Sequence, residues 1–264
     1  MEKNRFLKFW DGLLPFLIVY SFAQLLIIGV VTIMKGHHTM IIQNVIQTGL
    51  LLPMGMWMKV HSSKQEYQIE RHHFIGMIVC IFMSAALFSM SLNQIIDALQ
   101  LKNYSEEYTR VSNALFSPGV IQTTICVGFL APVFEEVLYR GILFGALRKR
   151  FSYVASAMIS SVIFGALHMN LIQFIYAASM GYIFAYLYDR TRKILVPVLA
   201  HIFANCISIL MTYTGFSSWI FSKPLFSLIL ALLEGLIGTV FLLYFEKKLN
   251  SKKNIKSASK QKNE

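Results

Sequence analysis

The stretch APVFEEVLYRG, residues 131–141, decides how this chain has to be read. Two acids, Glu135 and Glu136, and one base, Arg140, lie inside an apolar run that extends from about residue 119 to 146. A charge at the centre of a membrane helix costs roughly 2.5–3.5 kcal/mol on insertion scales, so each of the three must face protein or a water-filled cavity. Glu136 and Arg140 are four apart, neighbours on one helix face, and are expected to form a structural ion pair. Glu135 points about 100° away and lacks that partner. Pro132, just upstream, is expected to loosen the helix and admit water.

The rest of the chain agrees with a membrane setting. Of 264 residues 56% are apolar and 14% charged, and the apolar residues fall in long runs instead of alternating with charges as a soluble core requires. About 20 apolar helical residues cross a ~30 Å hydrocarbon layer. Apolar segments run approximately over 13–34, 40–58, 74–92, 119–146, 153–171, 172–188, 194–213 and 224–245. The expected fold is all-α, a polytopic transmembrane bundle of about eight helices. The break between the fifth and sixth segments rests on Met169, Asn170, Leu171 and Gln173 alone.

A net charge of +11 invites comparison with nucleic-acid binders, but topology explains it better and no nucleic-acid partner is expected. With the N-terminus in the cytoplasm, 19 Lys and Arg residues fall inside, four (Lys35, Lys102, Arg110, Lys223) fall outside, and Arg140 lies within a helix. Inside clusters are Lys59/Lys64/Arg71, Arg148/Lys149/Arg150 and Arg190/Arg192/Lys193. Both termini are therefore expected to be cytoplasmic, in a multi-pass protein of the cell membrane. Residues 1–246 read as one transmembrane domain, and 247–264, with seven lysines among Ser, Asn and Gln, as a disordered basic tail. Residues 93–117 have a helix-like spacing suited to the outer interface. Cys80, Cys126 and Cys206 show no CxxC or metal-like spacing and read as packing residues. The stripe Gln43, Asn44 and Gln47 reads as helix-packing glue, and Glu234 as a cavity or interhelical residue.

Two further crossings carry Phe164 with His168 in FGALH and His201 with Asn205 in HIFAN, each pair four apart on one face. Two imidazoles, an amide and a free carboxylate can converge in one cavity, which is the equipment for activating water and holding an oxyanion. Taken singly, each of these polar residues also fits the bland role of an interhelical hydrogen bond. Other peptidase chemistries lack their residues: the chain has no HExxH and no GxSxG, and Asp11, Asp97 and Asp189 all lie at segment ends.

With these residues the chain resembles the CPBP family, the CAAX proteases and bacteriocin-processing enzymes also called the Abi family. The pattern EExxxR reads Glu135, Glu136 and Arg140, FxxxH reads Phe164 and His168, and HxxxN reads His201 and Asn205, over a core of about residues 119–212. The resemblance implies an intramembrane endopeptidase acting on a membrane-associated peptide, of CAAX type or a bacteriocin or pheromone leader. It implies that Glu135 and His168 activate the attacking water, that His201 and Asn205 stabilise the oxyanion, and that Glu136, Arg140 and Phe164 support the site. A metal is left open: Glu135, His168 and His201 are candidate zinc ligands, and a water-only glutamate mechanism uses the same residues. The competing readings are a non-catalytic scaffold or bacteriocin-immunity protein on the same fold, and a transporter, against which the lack of an internal repeat speaks. One difficulty stands out: counted from the nearest inner cluster, Glu135 lies ~20 Å deep, His168 ~27 Å and His201 ~12 Å.

Overall fold

Polar residues placed between apolar runs set the helix boundaries. Ser105, Ser152 and Asn170 are N-caps whose side-chain oxygens accept the backbone N–H of Tyr108, Ala155 and Gln173 at 3.1, 3.3 and 2.8 Å. The computed structural model describes residues 2–34, 39–61 and 71–261, and among these every regular element is helical. The order is α1 (Glu2–Ile33), α2 (Thr39–His61), α3 (Arg71–Ala98), a 3-10 turn (Leu101–Tyr104), α4 (Glu106–Phe116), α5 (Val120–Leu147), α6 (Tyr153–Ala166), α7 (Leu171–Thr191), α8 (Leu195–Tyr213), α9 (Phe216–Phe221) and α10 (Pro224–Gln261). Lys35 and Lys64 of the charge argument lie outside the described residues.

Six of the described helices are long and apolar enough to cross a membrane: those containing Leu13–Ile33, Gly76–Ala98, Val120–Leu147, Leu171–Thr191, Leu195–Tyr213 and Pro224–Asn250. The other two expected crossings are helices as well. α2 has 23 residues but is diluted by Gln43, Asn44 and Gln47, and α6 has only 14, about 21 Å of helix. Leu25, Ile33, Leu236 and Leu243 are all more than 60% exposed, on helix faces that only lipid can cover without penalty. The chain is a multi-pass membrane protein built as a helical bundle.

Two details depart from the sequence reading. The helix α10 runs on through the lysine-rich segment to Gln261, where a disordered tail was expected. Each residue added to an existing helix needs no new nucleus, and lysine is a good helix former. Residues 262–264 lie outside the description. Residues 93–117 divide between the end of α3, the 3-10 turn and α4, which buries no residue of its own. α4 is tied down at its C-terminal end, where Tyr213 Oη donates to Phe116 O at 2.7 Å and Thr123 Oγ1 to Leu115 O at 2.9 Å.

The bundle is held by small residues and by polar pairs. α3 and α10 pack along their lengths, with Gln94 Nε2 donating to Glu234 Oε2 at 2.9 Å and Ser91 Oγ to the Ala231 carbonyl at 2.8 Å. At the other end, Arg148 and Arg192 both meet Asp189, at 2.8 and 3.0 Å, while Arg190 and Tyr186 reach Glu246 on α10. α6 and α7 approach closely at Gly165. A Cβ there would lie 2.8 Å from the Phe174 carbonyl oxygen and 3.1 Å from the Ala178 nitrogen, backbone atoms that cannot swing aside. Gly165→Ala is therefore expected to lower stability by about 1–3 kcal/mol, read as an earlier thermal unfolding midpoint in detergent micelles. An unchanged midpoint would mean that the hairpin can part without cost.

Candidate active site

The local geometry of α5 sets the site. Its turns widen to i→i+5 hydrogen bonding over Thr124–Leu130 and again over Val137–Phe144, leaving Ala131–Glu136 as a single α-helical stretch between them. Ala131 N–H bonds to Cys126 O, five residues back. In that register the Val127 carbonyl would pair with the N–H of residue 132, and Pro132 has none. Asn205 on α8 fills the gap, donating from Nδ2 to Val127 O at 2.9 Å. Pro132 itself is buried, and the acceptor it leaves free is taken up by an interhelical hydrogen bond.

Below it, Glu136 has no exposed side-chain surface and Arg140 has 1%. Glu136 Oε1 accepts from Arg140 Nη1 at 2.9 Å and from His201 Nδ1 at 2.8 Å. The Arg140 guanidinium lies 4.7 Å from the ring centre of Phe164 and 5.4 Å from that of Phe184, two aromatic faces that stabilise a cation removed from water. The His201 ring stacks on Phe184 with centroids 4.6 Å apart and meets Phe164 edge-on at 6.2 Å. Gly181 makes room for this arrangement: a Cβ there would come within 2.9 Å of Arg140 Nη2.

The imidazole is thus held on three sides, and its orientation follows. An ionised carboxylate only accepts, so Nδ1 carries the proton toward Glu136 and Nε2 faces the other acid. Nε2 lies 3.8 Å from Glu135 Oε2, on a side chain that is 23% exposed. That gap is too long for a direct hydrogen bond but lets a water sit ~2.8 Å from both atoms. Charge-bearing and aromatic groups from α5, α6, α7 and α8 therefore hold one imidazole whose Nε2 faces the partly exposed Glu135 carboxylate.

The sequence candidates are not all brought together. Glu135, Glu136, Arg140, Phe164 and His201 form one connected cluster. Asn205, one turn along α8, is engaged with Val127. His168 falls in the turn after α6, with Nδ1 2.9 Å from the Phe164 carbonyl oxygen and its ring 5.0 Å from that of Phe164. It touches the cluster through Phe164 and makes no hydrogen bond or ion pair to Glu135. The depth difference between Glu135 and His201 closes, while His168 stays beyond Phe164.

Gly181 and Phe184 escaped the sequence reading, because a glycine and a phenylalanine among apolar residues carry no signal of their own. The role of the Val127 carbonyl was legible in principle, since Pro132 must orphan an acceptor. Among the described residues no group of three or more His, Cys, Asp or Glu side chains is disposed to hold a metal ion. Glu135, His168 and His201 are not gathered as a ligand set, and His201 Nδ1 is committed to Glu136.

Comparison with known proteins falls on this region. Residues 117–207 match the family described as Type II CAAX prenyl endopeptidase Rce1-like. The chain is 39% identical over 87 residues to "Putative membrane peptidase YdiL" of Bacillus subtilis (strain 168), an alignment covering 33% of this chain and 36% of that protein. It is 34% identical over 98 residues to "Uncharacterized 24.3 kDa protein" of Escherichia coli, covering 35% and 45%. The matched regions thus span less than half the length of these relatives. No solved structure matches the chain. Over residues 117–207, which carry its three motifs, the chain is similar to this CAAX endopeptidase family and to a protein described as a membrane peptidase.

Proposed function

We propose that this protein is an intramembrane endopeptidase in which Glu135 activates water against a peptide bond. The observation that carries the reading is His201, locked through Nδ1 to buried Glu136 at 2.8 Å with Nε2 turned to Glu135 at 3.8 Å. A buried carboxylate that aims an imidazole at a reaction centre is the orienting logic of hydrolase sites on unrelated folds.

In the proposed cycle a water lodged between Glu135 and His201 gives a proton to the Glu135 carboxylate while its oxygen bonds to the scissile carbonyl carbon. The carbonyl π electrons move to oxygen, and the resulting oxyanion accepts hydrogen bonds from the second N–H of Asn205 Nδ2 and from Nε2–H of His201, which in the proposed cycle is doubly protonated throughout, keeps Nδ1–H on Glu136, and neither gains nor loses a proton. Collapse of the intermediate breaks the C–N bond, and Glu135 returns its proton to the departing amine. His168, across Phe164, is proposed as a second contact for the water. Arg140 and Glu136 position His201 and do not react. The substrate class is a membrane-associated peptide, either a prenylated C-terminal CAAX peptide or a bacteriocin or pheromone leader.

The test is incubation of the purified protein in micelles with a panel of farnesylated CAAX peptides and apolar leader peptides, with and without a chelator, followed by mass spectrometry. Cleavage at one bond that vanishes in Glu135→Gln supports the reading. Products that persist unchanged in that variant overturn it. Loss of cleavage with the chelator, restored by added zinc, would replace the water-only cycle with a metal-dependent one.

A further inference from the structure

Two buried acceptors beside α5 are used neither by the fold nor by the proposed cycle. Asn44 and Gln47 on α2 are 5% and 7% exposed. Asn44 Nδ2 donates to Met40 O of its own helix at 2.9 Å, and neither Asn44 Oδ1 nor Gln47 Oε1 has a hydrogen-bond partner. Asn44, Gln47, Leu51 and Met54 follow the spacing i, i+3, i+7, i+10 and share one helix face. Leu51 and Met54 at the end of that stripe pack in a cluster with Phe134, Leu138 and Ile142 on α5 and with Phe16 and Ala23 on α1, so that end of the stripe meets the helix that carries Glu135 as well as α1. α2 packs along α5 over Thr124–Leu130, Ala131–Glu136 and Val137–Phe144.

A carbonyl oxygen buried without a donor costs the fold its desolvation and returns nothing until a donor arrives. The donors that suit it in a hydrocarbon setting are backbone N–H groups of an extended peptide, which lipid cannot satisfy. A peptide must also be extended, with its hydrogen bonds to itself undone, before its carbonyl carbon can be attacked. We propose that Asn44 and Gln47 hold the substrate: their side-chain oxygens accept backbone N–H groups of an extended peptide segment lying between α2 and α5 on its way to Glu135. This rests on the peptidase reading and assigns to it the helix that receives the substrate.

The experiment uses the full-length protein and the best-cleaved peptide of the panel. Asn44→Leu and Gln47→Leu replace a side chain whose oxygen is unpaired by an apolar one of similar size, at the loss, for Asn44, of its bond to Met40 O within α2, so neither is expected to lower the unfolding midpoint appreciably. Each is expected to raise KM roughly tenfold with kcat little changed, the loss of about one hydrogen bond. A second arm methylates the peptide's backbone nitrogens one at a time. At the engaged positions N-methylation should weaken the wild type by a similar factor and add nothing further in the matching variant. Wild-type KM in both Leu variants, or N-methyl losses that add in full to those of the variants, overturns the inference and leaves the peptidase reading standing. Failure of the wild type to cleave the panel removes the reading and this inference together.

Discussion

Glu135→Gln is expected to fold as the wild type does and to lose peptide turnover by at least ~10³-fold, within the range that a positioned general base contributes. The amide keeps the volume of the carboxylate but cannot take a proton from water. The structural cost is small because His201 Nε2 is 3.8 Å away, too far for a direct hydrogen bond, and the side chain is 23% exposed. The buried links of the site, Glu136 to Arg140 and Glu136 to His201, do not pass through Glu135. Two measurements decide the matter: kcat/KM from product mass spectrometry, and the thermal unfolding midpoint in the same detergent. A variant that cuts at the normal rate ends the assignment of Glu135 as the base. A variant that loses rate and midpoint together would place Glu135 in the fold instead.

Arg140→Leu is expected to damage both folding and activity, for a different reason. It leaves the Glu136 carboxylate, with no exposed side-chain surface, without its counter-charge. Removing one partner of a buried pair typically costs 3–5 kcal/mol because the other charge stays behind, uncompensated. The two aromatic contacts of the guanidinium, to Phe164 and Phe184, are lost as well. The unfolding midpoint should fall steeply. The double variant Glu136→Leu with Arg140→Leu removes both charges and should recover much of the stability, since apolar replacements of a buried pair are often tolerated. It should not recover cleavage, because His201 then loses the acceptor at 2.8 Å that orients its ring. Recovery of full turnover in the double variant would show that the pair serves folding alone.

These two predictions separate a group that reacts from groups that position, and that distinction was only partly legible in sequence. EExxxR places Glu136 and Arg140 on one helix face by spacing alone, and the ion pair follows. Spacing equally says that Glu135 stands apart from the pair. Nothing in the sequence says that His201 hydrogen-bonds Glu136 and so faces Glu135 with its other nitrogen, since the two belong to helices 65 residues apart along the chain. The same holds for Phe184, which reaches both Arg140 and His201 from a helix without a motif.

What the sequence by itself determined is the solvent and the parts. Long apolar runs require lipid, and charges within them require a protein-lined interior. The i, i+4 motifs dictate which side chains share a helix face, because the helical repeat is a local property of the backbone. Only the tertiary structure decided which faces meet. Asn205 satisfies a carbonyl orphaned by Pro132, His168 stands beyond Phe164, and Asn44 and Gln47 are left with unpaired oxygens. In hydrocarbon, where apolar residues are interchangeable with lipid, helix partners are chosen by close packing of small residues and by completion of hydrogen bonds. Both depend on atoms brought together from distant parts of the chain, and no local pattern encodes them.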